Sequence, residues 1–321
     1  MGASGFLGSH VTRLLVESGE SVRVMVRESS SLRALHGLDV EYVIGDVEDP
    51  EAVRAAIQGC AVVYYCVVDA RPWLRDTDRL FRTNVRCLRS VLEVASKADL
   101  VRFVFTSSVA TLPIGDGVIA EDSGPHNWGS LGGAYVRSRV EAEDLVLMYA
   151  RERGLPAVAM CVANTYGARD YLPTPHGSFV AAAARGKLPV YVRGAGAEVV
   201  CVRDAARALI LAGKRGRPGE RYIVSAGYRS TRELHDFAAS VTGAQPAKFG
   251  IPRPVLTVAG TLGQVIALAT RRDIRVTRTT MRLMYTMTPL DHSKAVRELG
   301  WTPRPIEEAI TEAAKFFTTR V

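Results

Sequence analysis

Five short runs rich in β-branched and aromatic residues, 22–26, 40–44, 62–68, 101–106 and 157–162, are separated by stretches in which apolar residues return every three or four positions. The runs read as strands and the stretches as helices, because side chains repeat with period two along a strand and 3.6 along a helix. The helical stretches cover 9–18, carrying Val11, Leu14 and Leu15; 49–58, with Pro50 where a first turn tolerates it; 84–96; and a long one at 135–153. Alternating strands and helices predict an α/β fold whose parallel sheet is covered by helices on both faces, since parallel neighbours need crossover connections.

Beyond residue 165 the spacing changes. Loops lengthen and gain Pro173, Pro175 and Pro189, and strands shrink to pieces such as 221–225. This predicts a doubly wound domain over 1–165 and a smaller lobe over 166–321, with some segments returning to the first domain and a ligand crevice at the carboxyl ends of the strands. The most apolar stretch, 255–270, contains Gly260, Gly263 and Gln264 and is too short to span a bilayer. It reads as a packed helix of the second lobe, with a substrate-access or membrane-contact helix as the alternative.

A chain of 321 residues, 47% of them hydrophobic, can bury a sizeable core. Lys and Arg outnumber Asp and Glu by 41 to 33, giving a formal charge of +8, but the basic residues form no long run. Nucleic acid is therefore not expected as a partner, and a phosphate-bearing small molecule accounts for the sign. Cys60, Cys66, Cys87, Cys161 and Cys201 show no CxxC spacing and the six histidines no HxxxH pairing. Disulfides and a metal centre are not expected, and the setting reads as a reducing cytoplasm without a stable membrane span.

The segment Gly2-Ala3-Ser4-Gly5-Phe6-Leu7-Gly8 has GxxGxxG spacing and runs into a helix. Such a loop cradles a pyrophosphate. Gly2 permits the turn, Gly5 the close approach of backbone to phosphate and Gly8 the packing of the helix, whose first amides are free to donate. Together with a following strand that ends at Val26, this predicts a Rossmann dinucleotide-binding domain. NAD sites carry an acid at the end of that strand; here the residues are Val26 and Arg27, so NADP(H) is expected, NAD being possible through Glu28. Asp46, in Gly45-Asp46-Val47, is a candidate for the adenine amino group or for a helix cap. The loop normally follows the central strand of the sheet, and Met1 stands where that strand ends, so the first strand is expected to be missing from the printed chain, with the start internal to a longer reading frame.

These residues, with Asn84-Val85, Phe105-Thr106-Ser107-Ser108, Tyr135 with Ser138-Arg139, Tyr166-Gly167-Ala168-Arg169-Asp170 and Arg297-Glu298-Leu299-Gly300-Trp301-Thr302-Pro303, resemble the extended short-chain dehydrogenase/reductase superfamily, the NAD-dependent epimerase/dehydratase family. Trp73, Phe81-Arg82-Thr83-Asn84 and Pro173-Thr174-Pro175 are most similar to its dihydroflavonol reductase, 3β-hydroxysteroid dehydrogenase and hopanoid-associated sugar epimerase branch. The resemblance implies that Tyr135 is the acid/base, that Ser108 orients the substrate oxygen with Ser107 or Thr111 as alternatives, and that Gly2, Gly5, Phe6, Leu7, Gly8, Arg27, Asp46, Val47 and Asn84 contact the cofactor. Trp73 and Asn164 are implied substrate contacts, Asn164 equally a loop cap, and the lobe over 166–321 is implied to be mainly substrate-binding.

The chain departs from the family at three places. Arg139 replaces the lysine one turn after the tyrosine; it keeps the charge that lowers a phenol's pKa but cannot relay protons. Tyr65-Cys66-Val67-Val68 replaces a His-x-Ala-Ala stretch beside the nicotinamide half, and Val162 replaces a proline. The expected activity is a carbonyl/alcohol oxidoreductase acting on a small molecule. A nucleotide-sugar epimerase or dehydratase with Arg193, Arg221 or Arg253 as diphosphate clamps, and a dinucleotide-binding sensor without turnover, are the alternatives; a homodimer is implied by resemblance alone.

Overall fold

The structure, a computed structural model, describes residues 1–319. Its first half is helix α1 (Phe6–Glu17), strands β1 (Arg23–Val26) and β2 (Glu41–Ile44), α2 (Pro50–Ile57), β3 (Val62–Tyr65), α3 (Thr77–Phe81), α4 (Cys87–Ala95), β4 (Arg102–Ser108), α5 (Gly133–Arg153) and β5 (Ala157–Val162). The second half holds β6 (Asn164–Tyr166), α6 (Pro175–Ala184), β7 (Val190–Val192), β8 (Gly196–Cys201), α7 (Val202–Arg215), β9 (Arg221–Val224), β10 (Tyr228–Ser230), α8 (Thr231–Thr242), β11 (Phe249–Ile251), α9 (Arg253–Thr270), α10 (Arg278–Leu283) and α11 (Ile306–Thr318). The expected parallel α/β fold is present.

Strands β3, β4, β5 and β9 form a parallel sheet in that order, and β1 and β2 a separate parallel pair. The period-two pattern of the strands sends Phe103 and Phe105 of β4 to one face, with Val91 and Leu92 of α4 and Val146 of α5, and Val104 to the other, with Leu209 of α7 and Val11 of α1. Between β1 and β3 only the first residue pairs: the Met1 ammonium donates to the Tyr64 carbonyl at 2.9 Å, and the Cys66 amide donates to the Met1 carbonyl at 3.0 Å. In a doubly wound sheet this position belongs to the strand that feeds the glycine-rich loop.

The chain returns to the main sheet through α7 and β9, and the motif around Trp301 anchors it there. The Trp301 indole N–H donates to the Asp204 carbonyl at 2.8 Å, and the Arg304 guanidinium bonds the Asp204 carboxylate at 3.1 Å. A second core joins α6, α8 and α11, with Val180, Leu234, Ile310 and Phe317, over β6 and β8, which with β10 form a three-stranded sheet.

Three expectations are corrected. Helix α1 begins at Phe6, three residues earlier than its apolar period suggests, because the glycine loop turns directly into it. The helix expected at 84–96 starts at Cys87; residues 82–86 form a wider π turn, and a short helix precedes it. Helix α9 is packed along one stripe only, with its large side chains exposed.

Burial pushes His10, His176 and His235 down to about 4, since a charged imidazole loses its hydration there. Between about pH 6.5 and 4 the unfolded chain takes up protons that the folded one refuses, so these groups stabilise the fold above 6.5 and lose that contribution as pH falls towards 4. Asp170, pushed up to about 6 by burial, acts in the opposite sense over the lower part of this window. The melting temperature is expected to drop between pH 7 and 5, and His176→Phe to lessen that drop; an identical pH dependence in the variant would remove His176 from the account.

Candidate functional site

The first turn of α1, the carboxyl ends of β3 to β5 and the start of α5 carry most of the predicted residues. Gly2 has φ +75°, a left-handed conformation, and a Cβ there would stand 2.7 Å from the Cys66 carbonyl carbon. A Cβ on Gly8 would stand 2.2 Å from the Gly2 carbonyl oxygen, so α1 can approach its own loop only with glycine at that place. Around Gly5 only the Gly2 oxygen lies within reach, at 3.3 Å. Gly5 caps α1 without a side-chain bond, and the first turn holds no acid. The amides of Phe6, Leu7 and Gly8 have no carbonyl one turn earlier, which makes this helix end a donor set for an anion.

Arg27 lies exposed at the end of β1, its amide bonded to the Ser30 hydroxyl at 3.1 Å in a turn. Asp46 accepts from the Glu48 amide at 3.1 Å, whereas the cap of α2 is Asp49, which accepts from Glu51. Val47 is half-buried against the α2–α4 core. Asn84 is buried and uses its amide within the protein: its oxygen accepts from the Asp69 amide at 2.8 Å, and its nitrogen donates to the Asp69 carbonyl at 3.1 Å and the Ser138 hydroxyl at 3.0 Å. It ties the loop after β3 to α5. The Tyr65 ring turns into the core against Phe103 and Phe105, each with centroids 6.1 Å away, so its bulk lies away from the loop that Cys66 and Gly2 form.

Helix α5 is ended by Gly154 at φ +68°, with Arg151 and Arg153 in its last turn, where cations suit the helix dipole. Tyr135, Arg139 and Glu143 follow at four-residue intervals on one face. Tyr135 is half-buried beside Ala110, Trp128 and Val136. The Arg139 side chain is 1% exposed; one nitrogen donates to the Thr106 carbonyl at 2.6 Å, and the guanidinium lies 5.1 Å from the Phe105 ring centroid. Its Nε and Nη1 are buried without a partner among the described residues. Desolvation lowers its pKa, while Tyr135, Tyr65 and Glu143 favour the cation.

Glu143, which the sequence reading missed, is buried and accepts from the Ser107 hydroxyl at 2.5 Å, the Thr111 hydroxyl at 3.0 Å and the Arg221 guanidinium at 3.3 Å. Its spacing from Tyr135 was a usable signal. Ser107 and Thr111 are thereby engaged in the interior, whereas Ser108 is half-buried at the end of β4, and its hydroxyl accepts from the Ala110 amide at 3.2 Å and from no other group among the described residues. Arg221 also donates to the Glu121 carbonyl at 2.9 Å and so braces the interior; Arg193 is exposed and Arg253 lies over the Tyr285 ring at 5.0 Å.

Trp73 lies under Arg275 at 5.3 Å, and the Arg75 amide donates to Asp273 at 3.0 Å, so the loop after β3 meets the turn between α9 and α10. Asn164 opens β6, opposite Val199 in the register, and is half-buried with no side-chain hydrogen bond among the described residues. Thr279 of α10 touches the start of α5, where a Cβ on Gly133 would meet it at 2.7 Å.

A glycine-loop helix end, a parallel sheet and a Tyr-x-x-x-Arg helix define a dinucleotide-binding α/β protein of the extended short-chain dehydrogenase/reductase class. The chain belongs to the NAD dependent epimerase/dehydratase family, whose model matches residues 1–225. It is 32% identical to a Synechocystis protein named as a candidate dihydroflavonol 4-reductase, over 98% of this chain and 93% of that protein. It is 30% identical to sterol demethylase protein B of Methylococcus capsulatus, over 99% of this chain and 97% of that protein. The crystal structure of gox2253 superposes with a TM-score of 0.87 at 32% identity, covering 99% of this chain and 96% of the other.

The close fit between Gly8 and Gly2 yields a direct test. Gly8→Ala is expected to destabilise the protein by at least about 2 kcal/mol in urea denaturation and to abolish dinucleotide uptake in calorimetry. An unchanged midpoint with undiminished uptake would show that the loop does not need this contact.

Proposed function

We propose that the protein is an NADP(H)-preferring oxidoreductase that interconverts a carbonyl and an alcohol, with Tyr135 as acid/base. The observation that carries the reading is Arg139: a fully buried cation, one turn after a half-buried tyrosine, with two guanidinium nitrogens left without partners among the described residues. Burying a charge in this way is costly unless something pairs with it. The hydroxyls of a nicotinamide ribose are acceptors of the right kind, so the residues present fit the cofactor. Bound there, the nicotinamide supplies the hydride.

The chain's own groups do the rest. The amides of Phe6, Leu7 and Gly8 hold the pyrophosphate, and Arg27 meets a 2′-phosphate that an acid would repel. The Ser108 hydroxyl donates to the substrate oxygen, and the Tyr135 hydroxyl gives that oxygen its proton in reduction, leaving a phenolate that takes a proton back in oxidation. Arg139 holds a positive charge one turn from the phenol, and it stays protonated throughout. Asn84, through Ser138, ties α5 to the loop after β3, and Glu143, through Ser107, keeps α5 in register with β4. Asp46 and Val47 border the adenine half. The second lobe supplies the substrate walls, with Asn164 and Trp73 at the crevice.

The names of the relatives support a substrate class. The chain covers nearly the full length of proteins named for a dihydroflavonol reductase and a sterol demethylase component, names that refer to polycyclic molecules of low charge. The clamps that a sugar nucleotide needs are weakly supplied, because Arg221 is engaged with Glu121 and Glu143. A largely apolar ketone or alcohol is the substrate that this crevice suits, and a cytoplasmic setting fits the cofactor.

Tyr135→Phe is expected to lower kcat for NADPH-dependent reduction of polycyclic ketones by about 10²–10⁴ while leaving dinucleotide affinity unchanged. Full activity in that variant would end the acid/base assignment. Arg139→Lys is expected to reduce kcat/KM by about tenfold or more, because the shorter cation cannot keep the Thr106 carbonyl and also serve the ribose; a large gain would favour a degenerate, non-catalytic dinucleotide binder. Arg27→Asp is expected to reverse the preference for NADPH over NADH, read from the ratio of the two affinities.

A further inference from the structure

Helix α9 is built inside out. Its packed stripe is Leu256, Gly260, Gly263 and Ala267, mostly small residues at helical spacing. A Cβ on Gly263 would stand 1.8 Å from the Val276 carbonyl oxygen, and one on Gly260 would stand 3.0 Å from that of Thr277, so the glycines let the helix lie on the backbone of the following segment. The large residues point the other way. Val255, Val258, Leu262, Val265, Ile266 and Leu268 are each at least 50% exposed.

No charge interrupts this face, whose polar residues are the exposed Thr257, Thr261 and Thr270 and the half-buried Gln264. No charged residue stands between Arg253 and Arg271. The hydroxyls of Thr257, Thr261 and Thr270 donate to carbonyls one turn earlier, at 3.0, 2.8 and 2.7 Å, and so present little to water. A contiguous apolar surface of this kind marks a place of contact with something apolar.

The rim of the face is cationic. Residues 249–290 contain six arginines, 253, 271, 272, 275, 278 and 282, and one acid, Asp273, a net charge of +5. Asp273 is engaged with the Arg75 amide. Arg271, Arg272, Arg278 and Arg282 form no ion pair among the described residues.

We propose that α9 is a docking helix for an anionic phospholipid bilayer. It lies in the plane of the surface with Val258, Leu262 and Val265 among the acyl chains and the arginines at its ends on headgroup phosphates. A second copy of the chain is the poorer occupant: a two-fold contact across α9 would bring two sets of arginines together without acids to separate them. Among the described residues no helix is long and apolar enough to cross a membrane, so the contact is with one leaflet.

The placement relates docking to the crevice. Helix α10, which packs on α9, touches the start of α5 through Thr279, and Leu283 and Met287 join the cluster that includes Tyr135. Docking thereby brings the leaflet to the elements that border Tyr135, the acid/base of the proposed reaction. This consequence rests on the oxidoreductase reading; the docking itself does not.

The test is co-sedimentation of the full chain with phosphatidylcholine vesicles, with and without phosphatidylglycerol. Wild type is expected to partition onto the anionic vesicles and, in low salt, far less onto the neutral ones. Val258→Ser/Leu262→Ser/Val265→Ser is expected to bind at least about tenfold more weakly, and Arg271→Gln/Arg272→Gln about tenfold more weakly, at roughly fivefold or less per arginine. Both variants are expected to keep the wild-type melting temperature and dinucleotide affinity, and Tyr135→Phe to dock like wild type, which separates this proposal from the assignment of the active site. Should the triple variant not fold, Leu262→Trp provides a second readout: a blue shift of its emission on anionic vesicles. No wild-type partitioning, equal partitioning of the triple variant, no shift in Leu262→Trp, or a dimer that the triple substitution turns into a monomer without any vesicle effect would each overturn the proposal.

Discussion

A guanidinium withdrawn from water needs partners on every side, and Arg139 has one protein acceptor, the Thr106 carbonyl, while its Nε and Nη1 have none among the described residues. Its bond to the Thr106 carbonyl and its position over Phe105 fasten α5 to β4 at the end of the strand that carries Ser108. One turn on, Glu143 repeats the fastening through Ser107 and Thr111. Two charged residues on one helix face, each bonded to the same strand or the turn after it, leave α5 little freedom to slide. The distance between Tyr135 and Ser108 is set by that constraint rather than by either residue. Uncompensated buried charges cost about 3–5 kcal/mol when a partner is removed, which is comparable with a large part of a domain's stability.

The other end of the crevice follows a different rule. The glycine loop works by what is absent: without a Cβ at Gly2 and Gly8, α1 presents its first amides beside Cys66 and the end of β3. Helix α9 uses the same device at Gly260 and Gly263, where missing side chains let it lie on the 276–277 backbone and leave its large residues outward. Close backbone packing thus bares the first amides of α1 in one place and the apolar outer face of α9 in another. After α9, Arg275 lies over Trp73 and Thr279 meets the start of α5.

Much of the fold could be read from local pattern. The six strands expected from the β-branched runs all form, β5 with its expected limits, because burial on both faces of a central parallel sheet selects such residues; β2 forms at an edge with Tyr42 and Ile44 exposed. The start of α1 was misplaced because glycine carries no hydropathy signal. The π turn at 82–86 was not legible either, since it is associated with bonds from Asn84 to Asp69 and Ser138, neither of which is its neighbour in the chain.

The candidate site divides along the same line. Residue type and spacing along one helix or one loop are local properties, so the glycine cradle and the Tyr135–Arg139 pair were visible in the order of amino acids alone. Which of Ser107, Ser108 and Thr111 faces the crevice depended on the position of Glu143, a contact across 32 to 36 residues. That Arg221 braces the interior, and that α9 buries its glycines instead of its leucine and valine face, likewise required the neighbouring elements to be in place. Hydropathy records how apolar a segment is, but the side of it that is covered is settled by the shape of what packs against it.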